Sequence, residues 1–132
     1  MTRRESRELA FVLLFEKSFS DATLAEILEN AGEARELASD AFALSLAEGV
    51  LAHLTEIDEK ISAASHKWSK DRLSRVTLAI LRLAIYEIVW ESDIPVSVSI
   101  NEAVELAKSY GGDTDASFIN GVLGGVARQH EA

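Results

Sequence analysis

Apolar residues recur at three- and four-residue steps along most of the chain, a spacing that predicts helices rather than strands. Thr2 and Glu5 form an S/T-x-x-E capping box, so a first helix should start near Arg3, carry Leu9, Val12, Leu13 and Phe15, and end about Lys17. Ser20 and Asp21 are candidate caps for a short second helix with Leu24, Ile27 and Leu28 on one face, and Gly32 stands where it would stop. From Ala34 to Ser65, Leu37, Ala41, Leu44, Val50, Leu54, Ile57 and Ile61 follow at helical steps, apart from one six-residue step alongside Phe42 and Leu46. This stretch reads as one long periodic segment. Asp71–Trp90 is apolar around most of its circumference and belongs at the centre of a bundle. Pro95 closes the connection that follows. Ser99 with Glu102, or Ser97 instead, would cap a helix that runs to Tyr110 and stops at Gly111 and Gly112. A last helix begins near Asp115 and carries Phe118, Ile119, Val122 and Leu123. Val96–Ile100 alternates like a strand, but a lone strand that short has no partner, so the helix reading prevails.

The pattern therefore predicts an all-α, single-domain bundle of about seven helices. Composition agrees: 132 residues suit one domain, and one proline with seven glycines is too few for a turn-rich sandwich or barrel. The absence of cysteine excludes disulfides, thiolate metal sites and thiol nucleophiles. The N-terminal apolar run Leu9–Phe15 is too short to span a bilayer, and no small-residue cleavage site follows it. A soluble cytoplasmic protein with no membrane association is expected.

Candidate chemistry is sparse. His53, His66 and His130 make no metal-ligand pair, and neither G-x-G-x-x-G nor G-x-S-x-G occurs. Acid pairs such as Glu102 and Glu105 read as solvated helix surface. No catalytic residue, metal site or cofactor is expected. Tyr86 and Trp90, one turn apart, read as core residues with polar tips at the edge.

The net charge of −9 argues against a nucleic-acid partner, yet its distribution weakens that objection. Residues 21–66 hold ten acids against two bases, whereas residues 1–20 hold four bases against three acids. Screening acts over about 8 Å at physiological salt, so local charge decides. Arg3, Arg4 and Arg7 are spaced to project to one side of the first helix. They could contact phosphates or form a solvated, frayed turn, and composition alone favours the turn. Phe118, just after a polar loop, is either a helix-start packing residue or a platform for a nucleobase.

Three stretches together resemble one family. Arg3-Arg4-x-x-Arg7-Glu8-x-Ala10 opens the chain, and Leu81-Arg82-x-Ala84-x-Tyr86-Glu87 precedes Ile94-Pro95. Ile100-Asn101-Glu102-Ala103-Val104-Glu105-Leu106-Ala107-Lys108-x-Tyr110-Gly111 leads to Phe118-Ile119-Asn120-Gly121-Val122-Leu123. In this order and spacing they resemble the bacterial NusB family of transcription antitermination proteins, over essentially the whole chain and least over residues 18–66.

The resemblance implies two packed three-helix-like halves, about residues 1–66 and 67–132, and no enzymatic activity. It implies binding of single-stranded boxA RNA in nascent ribosomal transcripts, together with the ribosomal protein NusE, within an RNA polymerase antitermination complex. Arg3, Arg4, Arg7, Lys108, Ser109, Tyr110 and Phe118 fall on the family's RNA-facing positions. Arg72, Arg75, Arg82 and Glu87 fall roughly on its NusE-binding surface. Monomeric and homodimeric states both fit. Gly121 should permit close helix approach, while Gly124 and Gly125 should weaken the last helix. Two other readings stand beside this one: a NusB-like module of an RNA methyltransferase, and an interaction module without an RNA role.

Overall fold

The computed structural model describes residues 2–30, 40–65 and 73–131. Among them run seven helices: α1 (Arg3–Lys17), α2 (Leu24–Asn30), α3 (Ala41–Ala52), α4 (Leu54–Ala64), α5 (Arg75–Trp90), α6 (Val96–Tyr110) and α7 (Asp113–Glu131). The fold is all-α, as the periodicity predicts. Gly32 and the start expected at Asp71 lie outside the described residues, as does the expected boundary between halves near residue 66.

The first cap is as predicted. The Thr2 hydroxyl accepts the Glu5 N–H at 3.1 Å, and the Glu5 carboxylate accepts the Thr2 N–H at 3.3 Å. The second differs: Thr23 and Glu26 form the reciprocal box that opens α2, while the Ser20 hydroxyl accepts the Ala22 N–H in the turn before it. Asp40 caps α3 by accepting the Ala43 N–H at 2.9 Å and also accepts the Ser6 hydroxyl at 2.7 Å, which ties α3 to α1. The Ala43 N–H, with help from Ser6, holds the Asp40 carboxyl below the ordinary carboxylate range.

The long periodic segment breaks at His53, which ends α3 and begins α4. The break has a packing cause: α3 lies on α1 and α5, whereas α4 lies on α5 and α7. A straight helix could not reach both sets of neighbours. Val50 on α3 and Ile57 and Ile61 on α4 are all fully buried on either side of the bend.

Helix α5 is the axis of the molecule and packs on α1, α3, α4, α6 and α7. Ser74 caps it, its hydroxyl accepting the Thr77 N–H at 3.1 Å. Its buried residues include Ile80, Leu81, Leu83, Ile85 and Ile88, the core of one apolar cluster to which all seven helices contribute. Helix α6 begins after Pro95 with no side-chain cap, so the expected Ser99–Glu102 box is not used. Ser99 is instead buried within α6, its hydroxyl turned to α5.

Gly121 corrects another expectation. It is exposed, and a Cβ there would meet nothing within 4 Å. The close approach in α7 is at Gly125, where a Cβ would touch that of Ala64 at 3.7 Å, and the helix continues through Gly124 and Gly125 to Glu131. Gly121→Ala should therefore stabilise the protein by about 0.5–1 kcal/mol by restricting the unfolded chain and favouring the helix. A raised urea midpoint at unchanged slope is the expected result; a lowered midpoint would mean that this surface of α7 is not open.

Candidate nucleic-acid and partner interface

The three N-terminal arginines do not project to one side. Each head group is taken by a different helix. Arg3 lies over the Phe42 ring of α3, 3.7 Å from its centroid. Arg4 reaches α6, where its Nε and Nη2 donate to the two carboxylate oxygens of Glu102 at 3.0 and 3.4 Å. Arg7 turns inward to α5, and its Nε–H donates to both oxygens of Glu87 at 3.0 and 3.1 Å. The Arg7 side chain is 7% exposed and that of Glu87 is 2% exposed. The spacing that predicted one cluster describes where side chains leave a helix. Charge partners on three neighbouring helices decide where their tips end.

Arg7 therefore leaves the set of phosphate-contacting candidates, whereas Arg3 and Arg4 remain at the surface. The Arg4 side chain is 66% exposed. Its bond to Glu102, and then the Glu102 charge, hold the guanidinium above its ordinary pKa.

The last turn of α6 lies beside α1. The Tyr110 hydroxyl donates to the Glu8 carboxylate, which pushes the phenol pKa up to about 12, with burial adding to the effect. Lys108, Ser109 and Tyr110 are all exposed, and Lys108 stands 3.8 Å from Glu105. A cleft between α1 and α6 is lined by Arg4, Glu8, Glu102, Glu105 and Ser109, with Arg7 beneath. Thus Arg4, Lys108, Ser109 and Tyr110 are brought to one face. Phe118, on the second turn of α7, is half-buried and packs partly against the core.

Of the four expected partner-binding residues, three lie among the described residues. Arg72 lies outside the described residues. Arg82 forks onto Asp58 of α4 at 2.9 and 3.0 Å, and Glu87 is buried under Arg7. Both belong to the packing of α5 against its neighbours. Among the described three, only Arg75 keeps an exposed position, its guanidinium donating to the Ser18 carbonyl and lying 4.4 Å from the Phe19 ring centroid.

Phe19 is the feature that the sequence analysis missed. It is 61% exposed and ends an aromatic row of Tyr110, Phe11, Phe15 and Phe19, with ring centroids 4.8, 6.1 and 4.9 Å apart in turn. The four-residue spacing of Phe11, Phe15 and Phe19 was the available signal.

Among the described residues no three His, Asp or Glu side chains are grouped to hold a metal, and no helix is long and apolar enough to cross a membrane.

The model of the NusB family matches residues 4–128. The chain belongs to the NusB family. It is 46% identical over 123 residues to the transcription antitermination protein NusB of Oceanobacillus iheyensis, covering 93% of this chain and 96% of that one. The solved structure of T. maritima NusB superposes with a TM-score of 0.89 at 39% identity, covering all of this chain and 94% of the other. A solved structure of antitermination factors NusB and NusE in complex with double-stranded RNA superposes with a TM-score of 0.85 at 25% identity, covering 96% of each chain. The described helices thus have the NusB fold.

Proposed function

We propose that this chain is a transcription antitermination factor that binds boxA-type single-stranded RNA together with a NusE-type ribosomal protein and so joins the RNA polymerase antitermination assembly. Membership of the NusB family supports the class, and the solved NusB relative in complex with NusE and RNA supports the two kinds of partner. The observation that carries the RNA site is the α1–α6 face, where Arg4, Lys108, Ser109 and Tyr110 converge at the surface, with Arg3 exposed one position away on α1. Cations beside an aromatic ring are what a single strand requires, for phosphate contact and for base stacking. Phe118, half-buried on α7, is the remaining residue of the expected RNA-facing set. Action in the cytoplasm as a soluble protein follows from the same role. Arg75, exposed among the expected NusE-binding residues that are described, lies against the exposed Phe19 just beyond the end of α1, and the two offer a surface to the NusE-type partner.

The test is a fluorescence titration of boxA RNA, with and without the NusE-type protein, against wild type and Arg3→Ala/Arg4→Ala. Each phosphate contact to a single strand contributes about −0.7 to the slope of log affinity against log salt. The double variant should therefore bind more weakly at low salt and flatten that slope, by at most about 1.4 for two contacts. Equal affinity and equal slope for both proteins would remove the arginines from the site.

A further inference from the structure

On the α1–α6 face, Tyr110, Lys108 and Arg4 are each already engaged by a carboxylate. Glu8 accepts from Tyr110, Glu105 stands by Lys108, and Glu102 accepts the Arg4 fork at 3.0 and 3.4 Å. The Arg4 pair is the most developed of the three. It uses two nitrogens on two oxygens, the same planar geometry that a guanidinium offers a phosphate. It also crosses from α1 to α6, and its acid is held more firmly than its base: Glu102 is 18% exposed, whereas Arg4 is 66% exposed. A long exposed arginine can swing away, while the glutamate stays in the wall of the cleft.

We propose that Glu102 sets the affinity of this face for RNA by holding Arg4 in a fork that a phosphate must replace. The inference rests on the RNA-binding reading and assigns Glu102 an opposing role within it. When a phosphate takes Arg4, one charge-assisted pair is exchanged for another, and the freed Glu102 carboxylate is left facing the incoming anion. The net attraction of Arg4 for RNA is lowered by what the internal pair was worth plus that repulsion. Glu102 reads no base, so it lowers affinity for all strands by a similar factor. It thereby suppresses loose phosphate binding and leaves discrimination to contacts made elsewhere.

The fold depends little on this pair, because exposed ion pairs contribute at most about 1 kcal/mol. That same ceiling gives the size of the effect. Glu102→Gln keeps the shape and removes the charge, and it should bind RNA about fivefold more tightly than wild type. The gain should be equal on boxA RNA and on a scrambled strand, and the salt slope should steepen by about 0.7 as Arg4 becomes a full phosphate contact.

The measurement is a fluorescence anisotropy titration of both strands, in the presence of the NusE-type protein, with wild type, Glu102→Gln, Arg4→Ala and Arg4→Ala/Glu102→Gln. Urea unfolding of each variant runs alongside. The expected pattern is a gain for Glu102→Gln that disappears when Arg4 is alanine. Unchanged or weaker binding by Glu102→Gln overturns the proposal, and weaker binding would mean that Glu102 positions Arg4 for the phosphate. A gain that persists without Arg4 also overturns it, since the carboxylate would then act as a distant charge only. Failure of all four proteins, wild type included, to bind either strand would instead overturn the RNA-binding reading, and this inference with it.

Discussion

Glu87→Ala is expected to destabilise the protein by about 3–5 kcal/mol, which is a large part of what a domain of this size has to lose. Glu87 lies at the centre of the bundle, 2% exposed, where it accepts the Arg7 Nε–H at 3.0 and 3.1 Å and the Ser99 hydroxyl at 3.1 Å. Three helices meet in this network: α1, α5 and α6. Removing the acid leaves the Arg7 guanidinium, 7% exposed, without its counter-charge in a place that water does not reach. Removing both charges is a different matter, because neither then stays unpaired. Arg7→Met/Glu87→Leu should cost less than either single charge deletion, and the Ser99 hydroxyl can turn to a carbonyl of its own helix. Burial lifts the Glu87 pKa above the ordinary glutamate range, against the opposing pulls of Arg7 and Ser99. The folded state therefore holds that proton more tightly than the unfolded chain does. Its contribution to stability is complete below the ordinary glutamate pKa and is lost as pH rises through the raised one. Urea unfolding of the two singles and the double gives the answer. A double variant whose loss equals the sum of the singles would show that the pair is not coupled.

The same network shows what could be read from the chain and what could not. Local signals were legible where neighbours in sequence decide the outcome. The Thr2–Glu5 box is one case, and the apolar circumference that puts α5 at the centre is another. The family resemblance was legible from three motifs. The destinations of long side chains were not. Arg7 and Glu87 are eighty positions apart, and Arg4 and Glu102 ninety-eight. Helical spacing places Arg3, Arg4 and Arg7 on one turn but is silent about Phe42, Glu102 and Glu87, which draw them apart. Ser99 carried a correct capping pattern, and tertiary packing gave its hydroxyl to Glu87 instead. The break at His53 was hidden for a related reason: a periodic stripe says that a face is buried, not that its two halves are buried against different helices. Of the candidate site, the α6 terminus and the outer arginines were legible. Glu102, the acid that engages Arg4, read as ordinary solvated surface until α1 was laid against α6.

Gly49→Ala should destabilise the protein by about 1–3 kcal/mol, although alanine is the better helix former by about 1 kcal/mol. Gly49 lies inside α3, and the Tyr86 ring of α5 rests directly on its backbone. A Cβ at Gly49 would overlap Cζ, Cε1 and the hydroxyl oxygen of that ring, closer than real Cβ atoms come to their neighbours. A free aromatic ring could swing aside, but this one is confined. It stacks with Trp90 at 5.8 Å and with His53 at 6.2 Å, those two rings stack with each other at 4.1 Å, and the Tyr86 hydroxyl donates to Glu91 at 3.2 Å. Moving Tyr86 therefore disturbs the stack that sits on His53, the junction between α3 and α4. The contrast with Gly121→Ala makes the argument testable, since one substitution in two helices of one bundle should shift stability in opposite directions. Context decides the sign: a bare helix surface gains from the methyl group, and a backbone used as a ring platform cannot accept it. In a Tyr86→Ala background the obstacle is gone, and Gly49→Ala should become neutral or stabilising. A Gly49→Ala loss that survives in that background would place its cause in α3 itself and not in the Tyr86 contact.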